Sequence, residues 1–350
     1  MSVLDSVDDR LRVRLLEAGL SFGLGELISA SRAKVHSFHS VFRCEFMEGT
    51  YAIKQLVRRP DLPRWRDRFE CAFAVESWLS RGHSFLPTPI ANLAGEAISV
   101  IPSAIEDKSA DWFIAHQWIN GEVPDLRIVT ERVFSALGFT VASVAQVALG
   151  LVSVRSGMDD EIPSVEEVIE LLERWQPLDA LVVRQCDKIK KAVSILESIH
   201  SGTMGPHLAV VGHSDLSPTN IILANSGALF VLDWENVGLS TLESEIGRVL
   251  VHWCMGQPGC PPIGVEHVFR GLGASLHAID EVSDSWFSSW LSGHLMFLRY
   301  LLVSANRCEK EDALPARVKT EVGLLAEFVE KMPRLLGVMR EAMIGCGWAR

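Results

Sequence analysis

The sequence predicts an α+β protein with a β-rich N-terminal lobe and a mostly helical C-terminal lobe. Strand and turn patterns are concentrated in the first third of the chain, whereas the chain beyond Asn120 has helical periodicity apart from one apolar hairpin. The 350 residues are 48% hydrophobic, which is enough for more than one lobe. We place the boundary near the QWINGE segment, giving lobes 1–118 and 119–350.

The elements of the N-terminal lobe follow from local patterns. HSVFRCEF and YAIKQL flank the turn MEGT and predict a β-hairpin. The segment 61–82 predicts the one helix of this lobe, with Asp61 as candidate N-cap and Gly82 beyond its end. GEAISVIPS and DWFIAHQWI predict two more strands.

One uncharged stretch, Val133 to Val154, has the length of a membrane span. Serine, threonine, glutamine and glycine interrupt it, and no second span or aromatic belt accompanies it. It therefore predicts a helix buried inside the helical lobe, and no membrane contact is expected.

The apolar hairpin carries polar groups at its open end. Ile221–Leu223 and Ala228–Leu232 predict two strands, and a two-residue turn at Ser226-Gly227 would set Asn220 directly opposite Asp233. A carboxylate and an amide oxygen that close can share Mg²⁺, which also takes phosphate oxygens. Asp215 precedes Asn220 by five residues and is the candidate base that orients an attacking hydroxyl.

The string HSDLSPTN (213–220), followed by FVLDWE (230–235), resembles the aminoglycoside phosphotransferase and choline kinase-like family. The resemblance implies a two-lobed protein-kinase-like fold and an ATP-dependent small-molecule kinase, with GTP left open as the donor. It implies that Asp215 is catalytic, that Asn220 and Asp233 bind Mg²⁺, and that His213 braces the loop. The family has Asp where this chain has Glu245, which leaves the role of Glu245 open.

The segment YAIK resembles the kinase strand whose lysine binds the α- and β-phosphates, which makes Lys54 the candidate. The following helix should supply a carboxylate to hold this lysine. Glu76 falls inside the apolar arc of that helix, where a charge needs a partner, and Glu70 falls outside it. We therefore favour Glu76, with Glu70 as the alternative because the family often places this residue earlier in the helix.

Three further nucleotide contacts are expected. The segment SRAKVHSFHS occupies the place of the phosphate-covering loop and lacks glycine, so Ser37 is the candidate there. Alignment on Gly121 predicts that the main chain of Gln117 and Ile119 bonds the adenine edge.

The acceptor is expected to be a small hydroxylated molecule rather than a peptide. Ser214 and Ser217 stand where protein kinases have Arg and Lys, and no peptide-docking segment follows DWE. A hydroxylated antibiotic is favoured, and a choline- or homoserine-like metabolite or a non-catalytic scaffold are the alternatives. The pocket is expected among the C-terminal helices, lined either by acids or by aromatic rings: Asp280, Glu281 and Asp284, or Trp286, Trp290 and Phe297.

The charge and the cysteine pattern of the chain limit the kinds of binding partner that we expect. Residues 121–350 carry −10 of the net charge of −11, and no basic stripe is present, so no nucleic-acid partner is expected. The seven cysteines are scattered without metal-site spacing, and the charged N-terminus does not resemble a signal peptide. We expect a cytoplasmic protein, whose oligomeric state the sequence leaves open.

Overall fold

The computed structural model of the chain forms two compact units. Unit 1 comprises Met1–Pro124, Val147–Val154 and Thr219–Val237, and unit 2 comprises Asp125–Gln146, Arg155–Pro218 and Gly238–Arg350. The structure describes residues 5–33, 39–56, 65–102, 110–152, 164–174, 180–201, 209–255, 262–279, 281–306 and 314–347.

Unit 1 is built on a seven-stranded sheet with the order β1-β2-β3-β4-β7-β5, and β6 also pairs with β7. Its strands are β1 Asp5–Ser6, β2 Leu27–Arg32, β3 Ser40–Phe46, β4 Gly49–Leu56, β5 Pro89–Ile90, β6 Ser99–Ile101 and β7 Asp111–Gln117. The predicted β3–β4 hairpin is confirmed, with Phe46 paired to Gly49 across the turn. Alternate residues of β3 are buried, namely Phe42, Cys44 and Phe46, and Ile53 of β4 joins them in one apolar cluster.

The described residues of the N-terminal third form two helices, whereas the sequence predicted one. Helix α1 spans Asp9–Ser21, is capped by Asp8, and buries Leu15 and Ala18 in the same cluster as the sheet. Its charged residues concealed this short apolar face in the sequence, because only a few positions of the helix are buried.

Helix α2 spans Trp65–Leu79 and has the predicted buried face. Val75 and Leu79 are fully buried and Glu76 is 4% exposed, whereas the side chain of Glu70 is 48% exposed. The periodicity therefore placed both glutamates correctly. The candidate cap Asp61 lies outside the described residues.

A three-stranded sheet completes unit 1, with β10 Ile221–Ala224 between β8 Gly121–Glu122 and β11 Leu229–Val231. The predicted register of the β10–β11 hairpin was wrong by one residue. Ile221 faces Val231, so the loop has three residues and ends on Gly227 at φ 78°. Asn220 therefore faces Leu232, whose N–H donates to the Asn220 carbonyl at 2.8 Å, and Asp233 lies one residue beyond.

Unit 2 is mostly helical. Its helices are α3 Glu131–Ala145, α4 Val165–Arg174, α5 Ala180–Ser201, α6 Leu242–Leu250, α7 Pro262–Leu272, α8 Ser288–Asn306 and α9 Leu314–Gly345. A π-helical turn, Val251–Met255, continues α6. The sequence did not predict the antiparallel pair β9 Ala209–Gly212 and β12 Gly238–Thr241, because each strand is only four residues long.

The uncharged stretch after residue 133 is a buried helix, α3, followed by a short loop. Two glycines let α3 and α7 pack closely: a Cβ on Gly138 would meet the Val268 carbonyl, and one on Gly271 would meet the Ser135 carbonyl. No helix in the described ranges is long and apolar enough to cross a membrane.

The observed units differ from a single division at residue 118. Unit 1 takes in 219–237 because β10 pairs with β8, whose Gly121 leaves no room for a side chain beside the Leu223 carbonyl. Residues 219–237 belong to unit 1 because of hydrogen bonds between strands that are distant in the chain. A single boundary along the sequence therefore cannot divide the two units.

The α3–α7 contact gives a stability prediction. Gly138→Ala should lower the free energy of unfolding by about 1–3 kcal/mol, because a methyl group there overlaps backbone that cannot move freely. Gly337→Ala in α9 is the matched control: its Cβ meets nothing within 4 Å, so it should be neutral or slightly stabilising. Urea denaturation of both variants measures this, and equal stability of the two would contradict the packing.

Candidate active site

The backbone around Asp215 has an unusual conformation. After β9 ends at Gly212, Ser214 adopts φ 67°, and the only other non-glycine residue at positive φ in the described chain is Asp233. Such conformations cost of order 1–3 kcal/mol and persist only when their surroundings enforce them. Asp233 is itself a residue predicted for the site, and Ser214 directly precedes another, Asp215.

Three side chains from α6 and the following π turn hold this backbone, and we call Glu245, Arg248 and Trp253 the clamp. The Ser214 N–H donates to Glu245 Oε2 at 2.9 Å, and Arg248 donates to the Ser214 carbonyl. Trp253 Nε1 donates to the Leu216 carbonyl at 2.7 Å. The peptide groups on both sides of Asp215 are therefore fixed by unit 2 itself.

Glu245 is the clamp residue whose role the sequence left open. It is 4% exposed, and its second oxygen accepts a 2.8 Å hydrogen bond from Ser240 Oγ. Gly212 makes room for it, because a Cβ there would overlap the Glu245 carboxyl group. A glutamate thus fits where the resembled family has the shorter aspartate, and it bonds the loop directly.

His213 lies fully buried beside Asp215. Its Nδ1 accepts a hydrogen bond from the Asp215 N–H at 3.2 Å, so the imidazole fixes the loop backbone. Asp215 is itself only partly buried.

A second histidine of unit 2, His252, was missed by the sequence reasoning. It lies on the π turn next to Trp253, and the charge of Asp215 acts on it. Burial lowers the pKa of His252 to about 4 and outweighs the opposite effect of Asp215, so the imidazole is neutral at pH 7. Insertions of this π-helical kind are frequent at functional sites, but no sequence pattern marked this one.

Lys54 in unit 1 pairs with two carboxylates that follow β11. Its Nζ lies 2.5 Å from Asp233 Oδ1 and 2.9 Å from Glu235 Oε2, and its side chain is only 12% exposed. Burial alone would lower the pKa of Lys54, but the charges and hydrogen bonds of Asp233 and Glu235 raise it. The ammonium is therefore charged at neutral pH.

The predicted ion pair between Lys54 and Glu76 is not formed. Glu76 instead bonds His116 Nε2 at 3.0 Å. His116 faces Ala52 across the β4–β7 ladder, so it shares a sheet face with Lys54 and supplies the partner that the buried carboxylate requires. The exposed alternative, Glu70, bonds Arg66 at 2.6 Å.

Glu235 is a further residue that the predictions did not assign. Besides Lys54, it bonds His39 Nε2 at 3.1 Å. Burial raises the pKa of Glu235, but the His39 hydrogen bond and the Lys54 charge outweigh it and lower the pKa to about 2. The acidic residue of the DWE motif was visible in the sequence, but its partners lie far away in the chain.

The donor set at the hairpin end fits a divalent cation that prefers oxygen. Asn220 and Asp233 offer an amide and a carboxylate oxygen at adjoining backbone positions, and Glu235 adds a second carboxylate. The described residues contain no cluster of three or more His, Cys, Asp or Glu side chains able to cage a metal. Mg²⁺ commonly uses one or two protein oxygens with waters and phosphates, so the set suits it.

The other predicted nucleotide contacts are only partly described. Gln117 ends β7, and its N–H donates to the Thr88 carbonyl at 3.0 Å, so an adenine contact from its backbone would use the carbonyl group. Ile119 follows in the segment before β8. Ser37 lies outside the described residues.

A model of the phosphotransferase enzyme family (APH) matches residues 48–282, which is more than half of the chain. The chain therefore belongs to this family, and it is a phosphotransferase that acts on hydroxyl-bearing small molecules. The matched range contains Lys54, the loop with Asp215 and the DWE motif.

Solved structures similar to this chain have the same fold. A spectinomycin phosphotransferase in complex with ADP and spectinomycin aligns with TM-score 0.65 at 15% identity, over 94% of this chain and 98% of its own. An amicoumacin kinase in complex with AMP-PNP and Ca²⁺ aligns with TM-score 0.59 at 16% identity, over 92% of this chain and 94% of its own. A microcompartment-associated aminopropanol kinase aligns with TM-score 0.61 at 13% identity, over 93% of this chain and 99% of its own. The predicted α+β, protein-kinase-like fold is confirmed.

The clamp gives a prediction about turnover. Glu245→Gln should lower kcat by about 10- to 100-fold, because the Ser214 N–H loses part of a charge-assisted hydrogen bond of about 1.5–3 kcal/mol. Nucleotide affinity should change little, since Glu245 and the groups that it bonds belong to unit 2, whereas Lys54 and Asp233, the candidate nucleotide and metal ligands, belong to unit 1. Exposed Glu341→Gln is the matched control, and steady-state kinetics with nucleotide titration measures both. A Glu245 variant no slower than this control would contradict the role.

Proposed function

We propose that this protein is an ATP-dependent kinase that transfers a phosphoryl group to a hydroxyl of a small antibiotic-like molecule. The observation that carries the proposal is the clamp, which fixes the backbone on both sides of a partly exposed carboxylate, Asp215. Phosphoryl transfer depends on positioning and charge stabilisation rather than on covalent chemistry, so a rigidly held base is what the reaction requires.

In this proposal Asp215 accepts a hydrogen bond from the acceptor hydroxyl and takes its proton as the oxygen attacks phosphorus. His213 and the clamp hold the carboxylate in one orientation. Because the buried His213 already accepts from the Asp215 N–H, it acts by positioning and not by moving a proton.

Lys54 would bind the α- and β-phosphates of the nucleotide. The phosphates would then replace part of the carboxylate pairing that the ammonium now makes, while Glu235 remains a second partner. Asn220 and Asp233 would hold Mg²⁺, which neutralises the developing charge on the phosphates when it is bound. Ser37, Gln117 and Ile119 stay candidate contacts of the nucleotide.

The acceptor is proposed to be a hydroxylated antibiotic-like compound with a neutral contact surface. Glu281 and Asp284 are exposed to solvent, which weakens the case for an acid-lined pocket that binds a polycation. Among the aromatic candidates, Trp286 packs on Phe269 in the interior, while Trp290 lies among histidines. Proteins of this fold that act on spectinomycin and amicoumacin support the antibiotic class.

Two substitutions separate catalysis from nucleotide binding. Asp215→Asn should lower kcat by about 10²- to 10⁴-fold and leave Mg-ATP affinity nearly unchanged, because the base does not hold the nucleotide. Asp233→Asn should weaken Mg-ATP binding as well, since it removes a carboxylate from the proposed metal site. Calorimetric titration and steady-state kinetics measure both, and normal turnover by the Asp215 variant would refute the assignment.

A phosphorylation screen tests the substrate class. We expect transfer from ATP to one or more hydroxylated antibiotics in a panel that also contains choline, homoserine and amino alcohols. For a neutral acceptor surface, KM for the acceptor should stay within about twofold between 0.05 and 0.5 M salt, because screening affects mainly charged contacts. A KM that rises steeply with salt would favour a cationic aminoglycoside, and exclusive transfer to the metabolites would refute the antibiotic class.

A further inference from the structure

A cluster of rings in unit 2 takes no part in the roles above. His252 lies on the π turn, and Trp290 and His294 lie on α8. Ring centroids are 6.4 Å apart for His252 and Trp290, 6.2 Å for His252 and His294, and 4.0 Å for Trp290 and His294. We call these three residues the recognition wall.

His252 connects the recognition wall to Asp215. It lies in the chain between Arg248 and Trp253, whose side chains bond the carbonyls of Ser214 and Leu216 on either side of Asp215, and the charge of Asp215 acts on its ring. A neutral imidazole has one donor and one acceptor nitrogen. It can therefore donate a hydrogen bond to a hydroxyl oxygen or accept one from a hydroxyl O–H. It has no charge with which to attract an anion or repel a cation.

Trp290 brings an unused hydrogen-bond donor to the wall. Its side chain is 5% exposed, and Phe328 packs on it at a ring distance of 4.7 Å. Within the described part of the chain its buried indole N–H has no hydrogen-bond acceptor. Buried donors are nearly always satisfied, so an unsatisfied one calls for a specific explanation.

The orientation of the wall is fixed from behind by Glu321 on α9. Its carboxylate is 4% exposed and bonds His294 Nδ1 at 2.5 Å. This leaves Nε2 as the free end of the His294 ring and holds that ring against Trp290. The wall is therefore preorganised by contacts inside unit 2, as recognition surfaces require.

We propose that the recognition wall binds the acceptor, and that it selects molecules with a second hydroxyl or carbonyl oxygen beside the hydroxyl that is phosphorylated. Trp290 Nε1–H donates to that second oxygen, and His252 bonds the polar group nearest to the reacting hydroxyl. The inference rests on the proposed kinase function and deepens it, because it names the residues that choose the acceptor and the chemical feature that they select.

The test compares Trp290→Phe with Trp286→Phe. Both remove an indole N–H and keep a ring, but the Trp286 N–H is already satisfied by the Glu281 carbonyl at 3.0 Å. For the best acceptor and its deoxy analogue, which lacks the neighbouring oxygen, wild type should prefer the parent by at least about tenfold in kcat/KM. Trp290→Phe should lose most of this preference, and Trp286→Phe should keep it. Mg-ATP affinity should be the same in both.

A second pair of variants tests His252. His252→Leu should raise the acceptor KM by about tenfold or more, and His252→Gln, which keeps a donor and an acceptor, should recover part of the loss. The matched control is His267→Gln, because His267 bonds only Ser135 and Glu131 among the described contacts. Melting curves and Mg-ATP titrations establish that each variant is folded.

Acceptor binding is also measured by calorimetry in the Asp215→Asn background, where no turnover is needed. The parent acceptor should again bind more tightly than its deoxy analogue, and adding Trp290→Phe should remove this difference in affinity. The inference would be overturned if Trp290→Phe kept the full preference for the parent acceptor over its deoxy analogue, or if Trp286→Phe lost as much of that preference as Trp290→Phe. Either result would leave the kinase function intact. A wild-type protein that binds these acceptors but phosphorylates none of them would refute the kinase function and not the wall.

Discussion

The bond between the Ser214 N–H and the Glu245 carboxylate is the constraint on which the loop around Asp215 depends. A serine at positive φ is strained, and a charge-assisted hydrogen bond in a buried site is strong enough to offset that strain. The bond also explains Gly212, since any side chain there would displace the carboxylate. The buried Glu245 carboxylate thus fixes the backbone conformation that orients the Asp215 side chain.

The charges of unit 1 are arranged around Lys54 in a comparable way. One largely buried ammonium faces Asp233 and Glu235, and His39 is a further hydrogen-bond partner of Glu235. Buried charges are tolerated only when each has partners, and removing one partner from such a group typically costs about 3–5 kcal/mol. The same arrangement suits nucleotide binding, because phosphates and a divalent cation can enter it by exchanging partners rather than by creating unpaired charge.

Family membership and the recognition wall answer different questions about this protein. Family membership concerns phosphoryl transfer, and the matched range contains the loop 213–220 and the DWE motif. The residues proposed to distinguish one acceptor from another lie on the π turn and α8: a neutral His252, and Trp290, whose N–H has no acceptor among the described residues. Specificity of this kind comes from buried polar groups that only the correct ligand satisfies.

The sequence alone determined the features that depend on local order along the chain. Strand alternation gave the β3–β4 hairpin, and helical periodicity showed that Glu76 is buried and Glu70 exposed. The spacing of HSDLSPTN indicated the reaction class, because the residues of one loop stay near one another in any fold. These patterns repeat every two or 3.6 residues, so they can be read without knowing the rest of the structure.

Only the tertiary structure decided the partners and the register. Lys54 pairs with Asp233, 179 residues away, rather than with Glu76, because the fold brings that carboxylate to the ammonium and gives Glu76 its own partner in His116. The hairpin turn could hold two or three residues, and one extra residue shifts every cross-strand pair. Ion pairs and strand registers depend on distances between elements far apart in the chain, and those distances are fixed only when the whole core packs.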